Sequence, residues 1–467
     1  MEWLGYKPDA ITYSSDNFQR LFDLAVDLIK RDKAYICHST GPEIHDQRGG
    51  DSKSARFHSP WRNRPIIESL KEFERMRLGE YKEGEATLRM KMDMDNPNPQ
   101  FWDLIAYRVM YISHIRTGKD WVIYPSYDYC HAICDSFEDI THSFCTTEFT
   151  MSRESYYWLV DALEIYRPVQ WESGRLNIGH TVLSKRKLNK LVTDGLVQGW
   201  DDPRLHTLAS LKRRGFTPES INAFARELGV TTANSTVSPE RLDNYVREHL
   251  NQVAPRLFML LEPLKLTITN IPLEFSLPVV LQNQANDVSK GNRTLLFTKT
   301  VYIDSCDFRE EPDSNFYRLS PGKIVGLLQV PFPIKATKVI KKDGIVVEVE
   351  AEYMVDSTLR PKTYIQWIGS TSFSLCEARL VSKLFVHANP DNKEDVPGGW
   401  LSDFNPDSLK IVKGCMVDSG IHDFKIGGTF QAVRIGYFCI DIDSDLDSNR
   451  IILNRTVTLK EDSKKNK

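Results

Sequence analysis

The chain has 467 residues, of which 41% are hydrophobic and 26% are charged, and its formal net charge is −3. A chain of this length is too long for one compact core and predicts three to four domains. The composition is that of a globular protein, and the near balance of charge argues against a protein that is basic over its whole surface, while leaving room for local basic patches.

The spacing of the cysteines and the amino-terminal sequence indicate the cellular compartment of the protein. Eight cysteines are spread along the chain without a Cys-x-x-Cys pair, which is a poor pattern for zinc or for a disulfide framework. Free buried thiols in a reducing compartment are the better interpretation. No apolar run has the length of a membrane span, and the first residues, MEWLGYKPDA, lack the basic and apolar regions of a secretory signal. We therefore expect a cytoplasmic protein with no membrane contact.

The first 200 residues are predicted to be mixed α/β. Apolar side chains recur at helical spacing in three places, and in the second of these Ile66, Leu70 and Phe73 share one face. A segment rich in Gly, Ser, Arg and Pro separates the first helix from the second. The predicted elements are helices at 18–29, 66–73 and 154–166, a strand at 34–37 and a loop at 47–65.

From Trp200 to about Leu260 the pattern is helical throughout. A basic cluster, Lys212–Arg214, closes one predicted helix. Pro218 stands where the first turn of the next helix tolerates it. We expect a small helical region here.

After about Leu264 the pattern becomes that of β-structure. Apolar and glutamate side chains alternate over 347–353, as in a strand with one wet face. Asp343-Gly344 separates two such runs and predicts a hairpin. A late strand region is predicted over 451–459, and the polar tail 461–467 is predicted to be disordered. The carboxyl half is thus predicted to be all-β, as one or two barrels.

Two segments carry candidate chemistry. Ser184-Lys-Arg-Lys187 is either a solvated surface loop or a mobile loop that holds ATP phosphates, where an ammonium group stabilises the charge that develops when pyrophosphate leaves. The segment from Tyr127 to Phe149 interleaves aromatic residues with His131 and His142. It is either core packing or a binding pocket, and its spacings fit no standard metal site.

These segments together resemble a known family. Tyr124-Pro-Ser-Tyr-Asp-Tyr-Cys-His131, Ile140–Phe149, Arg175-Leu-Asn177 and Thr181–Leu188 resemble the catalytic half of a class I aminoacyl-tRNA synthetase of the glutamyl/glutaminyl subfamily, and the glutaminyl enzymes in particular. The resemblance implies an α/β region followed by an all-β region. Its domains are a partial Rossmann-type catalytic domain at 1–200 with an acceptor-binding insert at about 12–115, a helical subdomain at 201–262 and two anticodon-binding β-barrels at 263–460.

The resemblance also implies the residues that bind ATP. Leu183-Ser-Lys-Arg-Lys187 is similar to the second signature of class I synthetases, with leucine in place of the usual methionine. Lys185 would be the catalytic lysine that contacts the phosphates. The implied ATP-binding residues are Thr146, Arg175, Leu176, Leu183, Ser184 and Lys185.

The implied glutamine pocket consists of uncharged or weakly charged groups. Tyr127, His131, Cys145 and Gln170 would line it. Glutamine carries a neutral amide with two donors and one acceptor oxygen, so hydroxyl, imidazole and ordered water suit it. Glutamyl enzymes usually carry arginine at the position of Cys145, where a guanidinium would select a carboxylate. Cys145 is the main reason for preferring glutamine.

Further segments resemble tRNA-binding parts of the family. Leu88–Met94 and Phe101–Arg108 resemble the insert that grips the acceptor end, although Met151 stands where a bacterial relative has an acidic residue that reads an acceptor-stem base pair. Glutamine and arginine suit the recognition of unstacked anticodon bases. The implied tRNA-binding residues are Thr231, Thr232, Ala233, Asn234, Ser235, Thr236, Val237 and Ser238, a stretch interpreted as helical, together with Gln431 and Arg434.

One family signature is missing. The chain contains no His-Ile-Gly-His motif, and Ile178-Gly-His180 stands in the wrong place. We interpret the chain as most of a glutaminyl-tRNA synthetase, truncated at its start, which is expected to bind tRNA(Gln) as a monomer but to activate glutamine weakly. The family uses ATP, Mg²⁺ and L-glutamine. A glutamyl-tRNA synthetase and a non-catalytic tRNA-binding protein remain as alternatives.

Overall fold

A computed structural model describes residues 1–51, 54–284, 287–354 and 360–459. The tail 461–467, predicted to be disordered, lies outside the described residues. The chain divides into two compact units. The amino-terminal unit comprises Lys7–Leu176 with Val230–Ser235, and the carboxyl-terminal unit comprises Met1–Tyr6, Asn177–Gly229 and Thr236–Lys467. Each is described by itself.

The amino-terminal unit contains five helices and six strands in its described part. They are α1 Phe18–Lys30, β1 Ala34–Cys37, α2 Gly41–Gln47, α3 Ile66–Arg77, β2 Thr87–Met90, β3 Ile105–Val109, β4 Ile123–Pro125, α4 Tyr127–Phe137, β5 His142–Thr146, α5 Ser152–Leu163 and β6 Val169–Ser173. The predicted strand at 34–37 and the three predicted helices are confirmed, with shifted ends. The predicted loop after residue 47 consists of turns and irregular backbone where it is described.

An antiparallel sheet in the order β1-β2-β3-β4 supports the first half of this unit. The apolar stripe of α1, with Leu21, Leu28 and Ile29 fully buried, packs into the same core as Phe73 of α3. The prediction that Ile66 belongs to the apolar face of α3 is wrong, because this residue opens the helix and is 36% exposed. The buried face of α3 is formed by Ser69, Phe73 and Met76.

The second half of the unit is a β-α-β arrangement. Strands β5 and β6 are parallel, with His142 opposite Val169 and Thr146 opposite Ser173, and α5 makes the crossover that parallel strands require. Helix α4 packs against α5. This confirms the predicted Rossmann-type α/β element. In the described chain the sheet has two strands, and Phe144 on β5 is 74% exposed.

Strands β7 and β8 pair with each other where the chain passes between the units, and helices follow in the carboxyl-terminal unit. Their bounds are β7 Leu176–Ile178, α6 Lys185–Thr193, α7 Leu208–Arg214, α8 Pro218–Leu228, β8 Ser235–Val237 and α9 Pro239–Val253. Pro218 opens α8 as predicted.

Two predictions fail in this region. The segment Thr231–Ser238 is not helical. Helix α8 ends at Leu228 and is followed by Gly229, whose φ is +67°, and the β-branched residues after it suit a strand. The basic triplet is not a loop, because α6 begins at Lys185. Leu188 and Leu191 of α6 are buried one turn apart and hold this helix in place.

The remaining chain forms β-structure with two seven-stranded sheets, which confirms the predicted β-barrel-like carboxyl half. One sheet runs β18-β15-β16-β17-β11-β14-β19 and the other β10-β21-β20-β24-β23-β22-β9, while β12 and β13 form a hairpin. The strand bounds are β9 Arg256–Leu257, β10 Met259–Leu260, β11 Pro263–Ile268, β12 Ser276–Gln282, β13 Asn292–Thr298, β14 Thr300–Asp304, β15 Ile324–Leu327, β16 Pro333–Lys342, β17 Ile345–Tyr353, β18 Tyr364–Ile365, β19 Ile368–Gly369, β20 Phe373–Val381, β21 Leu409–Asp418, β22 Thr429–Ala432, β23 Gly436–Ile440 and β24 Ile451–Thr458.

The predicted hairpin between β16 and β17 is confirmed. Asp343 and Gly344 both have positive φ, 51° and 79°, which is the conformation of a type I′ turn. Val349 and Ala351 on β17 are fully buried, whereas Val347, predicted on the same apolar face, is 43% exposed. The predicted alternation is therefore confirmed at 349 and 351 and wrong at 347. The late strand region is one continuous strand, β24.

All eight cysteines are free, but they are not all buried as predicted. Cys37, Cys376, Cys415 and Cys439 are buried, whereas Cys306 is exposed. The prediction of free thiols is confirmed, and that of burial is wrong for Cys306.

Candidate functional site

The aromatic segment opens helix α4 at the end of strand β4. Ser126 caps this helix by accepting a hydrogen bond from the Tyr129 amide at 3.3 Å. The cap places Tyr127 and His131 one turn apart on one face, with their rings stacked at 5.1 Å. Tyr127 is 56% exposed, so its ring is a surface that a ligand can reach.

A half-buried network of hydrogen bonds holds His131. Its Nε2 lies 3.1 Å from Asp135 Oδ2 and 3.1 Å from Ser143 Oγ on β5. The Tyr156 hydroxyl of α5 donates to the same carboxylate at 3.0 Å. Burial alone would raise the pKa of Asp135, but hydrogen bonds from His131, Ser143 and Tyr156 outweigh it and hold the pKa below its ordinary value. The carboxylate therefore fixes the imidazole ring.

Cys145 and Gln170 meet across the parallel strands β5 and β6. The Gln170 Nε2 donates to the Cys145 sulfur at 3.0 Å, and the Gln170 amide N–H donates to the Tyr157 hydroxyl at 3.0 Å. Gln170 is 5% exposed, and its Oε1 has no hydrogen-bond partner among the described residues. A buried acceptor without a partner costs free energy unless a ligand or water supplies a donor.

These side chains line one small pocket of the amino-terminal unit, with a volume of about 10 Å³ in this conformation. Its described lining includes no lysine or arginine, and the single carboxylate is Asp128, whose pKa is raised by burial against an opposing effect of His131. The lining residues are Tyr127, Asp128, His131, Phe149, Ser152, Ser155, Tyr156 and Gln170. Cys145 does not line the pocket itself but contacts Gln170. The pocket offers hydroxyl, imidazole and amide groups.

A second group of predicted residues gathers at the end of β6. Thr146 donates a hydrogen bond to Glu148 at 3.1 Å, and the same glutamate pairs with Arg175 at 3.1 Å. The Arg175 amide N–H donates to Asn234 Oδ1 at 2.9 Å. Residues implied for ATP (Thr146, Arg175) and for tRNA (Asn234) are thus in one hydrogen-bonded cluster, and Leu176 follows at the start of β7.

Gly174 explains how the segment Val230–Ser235 fits against this cluster. A Cβ at this position would lie 2.1 Å from the Ala233 carbonyl oxygen and 3.0 Å from the Thr232 carbonyl carbon. Only glycine allows such a close backbone approach. The Gly174 N–H donates to the Thr231 carbonyl at 2.5 Å, so the segment lies directly on the strand end that carries Arg175.

The predicted phosphate lysine lies in the carboxyl-terminal unit. Ser184 precedes α6, and Lys185 is its first residue, exposed to solvent. Lys187 pairs with Asp391, whereas Lys185 has no carboxylate at ion-pair distance within the described chain. A helix amino terminus already carries partial positive charge, and a first turn of three cations makes it more favourable for an anion. Leu183, half-buried, precedes the cap.

The last predicted tRNA residues lie on the second seven-stranded sheet and beside α9. Gln431 on β22 pairs in register with Arg256 on β9, and its Nε2 donates to the Tyr437 hydroxyl at 3.2 Å. Thr236 and Val237 belong to β8, and Ser238 precedes α9.

Arg434 occupies a turn with φ of +68°. Its guanidinium forms a bidentate pair with Asp307, at 2.8 and 2.7 Å, and this carboxylate is 1% exposed. Two donors of Arg434 are thus used within the protein.

Sequence analysis missed several residues that order the pocket. Asp135 follows His131 by four residues on one helix, a spacing that could have found it. Tyr156 and the contact of Asn234 with Arg175 depend on distant segments, and no local signal marks them.

The described part of the chain has no group of three or more His, Cys, Asp or Glu side chains that could hold a metal ion. None of the helices in that part is long and apolar enough to cross a membrane.

Comparison with known proteins decides the family. Residues 1–252 match the family model "tRNA synthetases class I (E and Q), catalytic domain". Residues 254–354 and 364–441 match two models of the anticodon-binding domain of the same family. The chain belongs to the E and Q class I tRNA synthetases.

Relatives named glutamine–tRNA ligase are similar to this class I synthetase chain. The probable glutamine–tRNA ligase of Schizosaccharomyces pombe is 46% identical over 100% of this chain and 60% of the relative. The Bos taurus glutamine–tRNA ligase is 47% identical over 98% and 58%. The Hypocrea virens glutamine–tRNA ligase protein virJ is 44% identical over 100% and 74%. The chain therefore spans about three fifths of the first two relatives.

Proposed function

We propose that this synthetase chain acts in the ATP-dependent attachment of L-glutamine to tRNA(Gln). In this reaction glutamine and ATP form glutaminyl-adenylate, and the acyl group then passes to the terminal 2′-hydroxyl of the tRNA. The names of the three relatives support glutamine as the amino acid.

The observation that carries the proposal is that the described lining of the pocket at α4 offers hydroxyl, imidazole and amide groups and contains no lysine or arginine. A glutamate side chain would need a fixed cation, and the described lining has none, while Asp128 would repel it where ionised. A glutamine side chain instead can donate to the unpartnered Oε1 of Gln170 and accept from hydroxyl groups. The thiol of Cys145 keeps the position beside Gln170 neutral, and this favours glutamine over glutamate.

The proposal assigns ATP to Thr146, Arg175, Leu176, Leu183, Ser184 and Lys185. Lys185 would stabilise the negative charge that develops on the α-phosphate, an effect typically worth about 10² to 10³ in rate. Bound Mg²⁺ would neutralise the phosphates of ATP, since this ion is held mainly by one or two carboxylates together with substrate phosphates.

The tRNA would contact Thr231–Ser238, Gln431 and Arg434. The amide of Gln431 and the hydroxyl of Tyr437 present paired donors and acceptors, as recognition of unstacked bases requires. The proposal keeps a domain division at about 200 and 262, a monomer, and a cytoplasmic location, which the eight free cysteines support.

The test is a comparison of glutamine and glutamate binding by the 467-residue chain in the presence of ATP, using calorimetry. We expect glutamine to bind at least tenfold more tightly. The variant Cys145→Arg is expected to weaken glutamine binding and to reverse or abolish the preference, because a guanidinium beside Gln170 attracts a carboxylate.

Cys145→Ser is the matched control, since it keeps a small neutral group that can accept from Gln170, and it should preserve the preference. Equal affinity of the unaltered chain for both amino acids would refute the assignment of glutamine. tRNA binding without any amino-acid binding would favour the non-catalytic alternative.

A further inference from the structure

A second pocket lies wholly within the carboxyl-terminal unit, where α7, α9 and β24 meet the segment after β20. Its volume is about 380 Å³, which is in the range of small-ligand sites. It is separate from the residues assigned above. The residues that matter for its chemistry are Arg204, His206, Arg214, Asp243, Lys383 and Arg455.

Two of its cations are neutralised inside the protein. The Arg204 guanidinium makes a bidentate pair with Asp202, at 2.9 and 2.8 Å. Lys383 pairs with Glu240 at 2.8 Å. Because each of these two cations is already paired with a carboxylate, neither contributes much net charge to the binding of an anionic ligand.

The other two cations have no such partner. Arg214 donates through Nε to the Thr456 carbonyl at 3.0 Å, and Arg455 donates through Nη2 to the Val381 carbonyl at 3.2 Å. Neither has a carboxylate at ion-pair distance in the described chain. Burial lowers the pKa of both, and for Arg455 the nearby charge of Arg214 lowers it further. Two guanidinium groups thus lie close enough to repel each other.

The surrounding groups offset this charge only in part. Asp243 is the remaining carboxylate of the lining. Burial is the largest effect and raises its pKa, while the charges of Arg214, Arg247 and Lys383 lower it, and Asp243 in turn raises the pKa of Arg214. His206 is kept neutral, with burial first and the Arg214 charge second lowering its pKa to about 3. The His206 Nδ1 is buried and has no hydrogen-bond partner in the described residues. When Asp202, Glu240 and Asp243 are set against Arg204, Arg214, Lys383 and Arg455, one cation remains in excess, beside an unused imidazole nitrogen.

We propose that this pocket binds a phosphate group, held by the guanidinium groups of Arg214 and Arg455. Guanidinium groups match phosphate oxygens in a bidentate manner, and His206 Nδ1 can donate to the same group. The phosphate belongs either to the backbone of a bound RNA, in which case the inference rests on the proposed function, or to a small polyphosphate.

The first experiment measures the binding of pyrophosphate to the 467-residue chain by calorimetry, against chloride at equal ionic strength. We expect saturable binding that weakens at least tenfold in Arg455→Gln and in Arg214→Gln. Arg226→Gln is the matched control, because Arg226 is an exposed residue of α8 and its loss changes the net charge equally. It should leave the affinity unchanged.

The second experiment measures tRNA binding over a series of salt concentrations. If the phosphate belongs to RNA, Arg455→Gln weakens binding about tenfold and lowers the salt slope by about one, as expected for one lost phosphate contact. If it belongs to a small polyphosphate, pyrophosphate binding is lost while tRNA affinity stays as in the Arg226→Gln control.

Circular dichroism and thermal melting show whether each variant is folded. Where a glutamine variant does not fold, Arg455→Lys and Arg214→Lys replace it. These lysine variants retain the positive charge but not the bidentate geometry of arginine, and we expect the affinity for pyrophosphate to fall three- to tenfold. The proposal is overturned if all folded Arg214 and Arg455 variants match the Arg226→Gln control in both experiments. Failure of the glutamine-binding test would leave the pyrophosphate result unaffected.

Discussion

At the scale of single residues, Gly174 has the most definite consequence. Replacing it with alanine puts a methyl group 2.1 Å from the Ala233 carbonyl oxygen, and both partners are backbone. The segment at 231–234 must move, and the hydrogen bond from the Arg175 amide to Asn234 is lost with it. We expect Gly174→Ala to lower the free energy of unfolding by about 1–3 kcal/mol and to weaken ATP binding, measured by urea unfolding and calorimetry.

Gly41→Ala is the control for this substitution. Gly41 lies in the same unit, its φ is not positive, and a Cβ there would meet nothing within 4 Å. It is expected to be neutral or slightly stabilising. If Gly174→Ala behaves like Gly41→Ala, the close approach of the two segments is not a constraint on the protein.

Asp135→Asn tests the network that holds His131. The substitution removes the carboxylate that His131 and Tyr156 contact, and we expect a loss of about 1–3 kcal/mol in the free energy of unfolding at pH 7. The folded-state pKa of Asp135 is depressed below its ordinary value of 3.8. Its stabilising contribution is therefore complete above pH 3.8 and disappears as the pH falls below it.

The measurement is urea unfolding of both proteins from pH 7 to pH 2.5. The difference in free energy of unfolding between the unaltered protein and Asp135→Asn should be constant down to about pH 4 and become smaller below it. A difference that grows as the pH falls would contradict the depressed pKa.

Sequence reasoning accounts for part of the site at this scale. Cys145 and Gln170 were chosen through resemblance, and the structure joins them by a hydrogen bond across two strands. Asp135 could be found from its spacing to His131. The bond between Asn234 and Arg175 joins residues 59 positions apart, and no periodicity or local propensity can reveal such a contact.

At the scale of elements, patterns with a strong period were predicted correctly. The stripe of α1 specifies which face is buried, and the alternation of β17 does so at Val349 and Ala351 but not at Val347. The Asp343-Gly344 turn follows from its need for positive φ. The failures came where the pattern was weak. The segment Thr231–Ser238 has no apolar stripe. The basic triplet at 185–187 suggests a loop, but it forms the first turn of a helix whose buried face consists of Leu188 and Leu191.

Asp441 links α7 to the second seven-stranded sheet. This carboxylate is fully buried and accepts two hydrogen bonds from Arg213, both at 3.0 Å, with Arg379 nearby at 3.5 Å. Asp441→Ala leaves buried guanidinium groups without this partner. We expect a loss of about 3–5 kcal/mol in the free energy of unfolding, measured by denaturant unfolding of the whole chain.

Asp443→Ala is the comparison variant, since Asp443 contacts the same two arginines but is 37% exposed. Water can replace the Asp443 carboxylate, and we expect this variant to lose about 1 kcal/mol or less in the free energy of unfolding. Equal losses for the two aspartates would show that burial does not determine the strength of this link.

At the scale of the whole molecule, the 467 residues contain Lys185 and the pocket at α4 and no His-Ile-Gly-His motif. The family resemblance implies that this motif binds ATP. We expect pyrophosphate exchange into ATP by these 467 residues to be at least 10²-fold slower than by the Bos taurus relative assayed in parallel, because one phosphate-stabilising contact is typically worth that much. Exchange at the rate of the relative would show that other residues replace the motif.

The change from helical to β-structure along the chain is predictable because the pattern of the residues changes with it. A helical pattern is predicted from 200 to about 260, where the structure also has the short strands β8, β9 and β10, and two-residue periods dominate after 264. The assignment of strands to two separate sheets was not predictable, since β20 pairs with β24 across a sequence separation of about 75 residues and such pairings depend on the entire core.

The β5–β6 ribbon has a practical consequence for handling the protein. Each strand of this parallel pair has one neighbour in the described chain, so each leaves a row of amide and carbonyl groups open on its outer side. The Phe144 ring is 74% exposed and in edge contact with Trp171, and these rows form a template with which a strand of another molecule can pair. We expect the protein to aggregate in concentrated solution, which would then become turbid. Replacing Phe144 with a charged residue should prevent this aggregation.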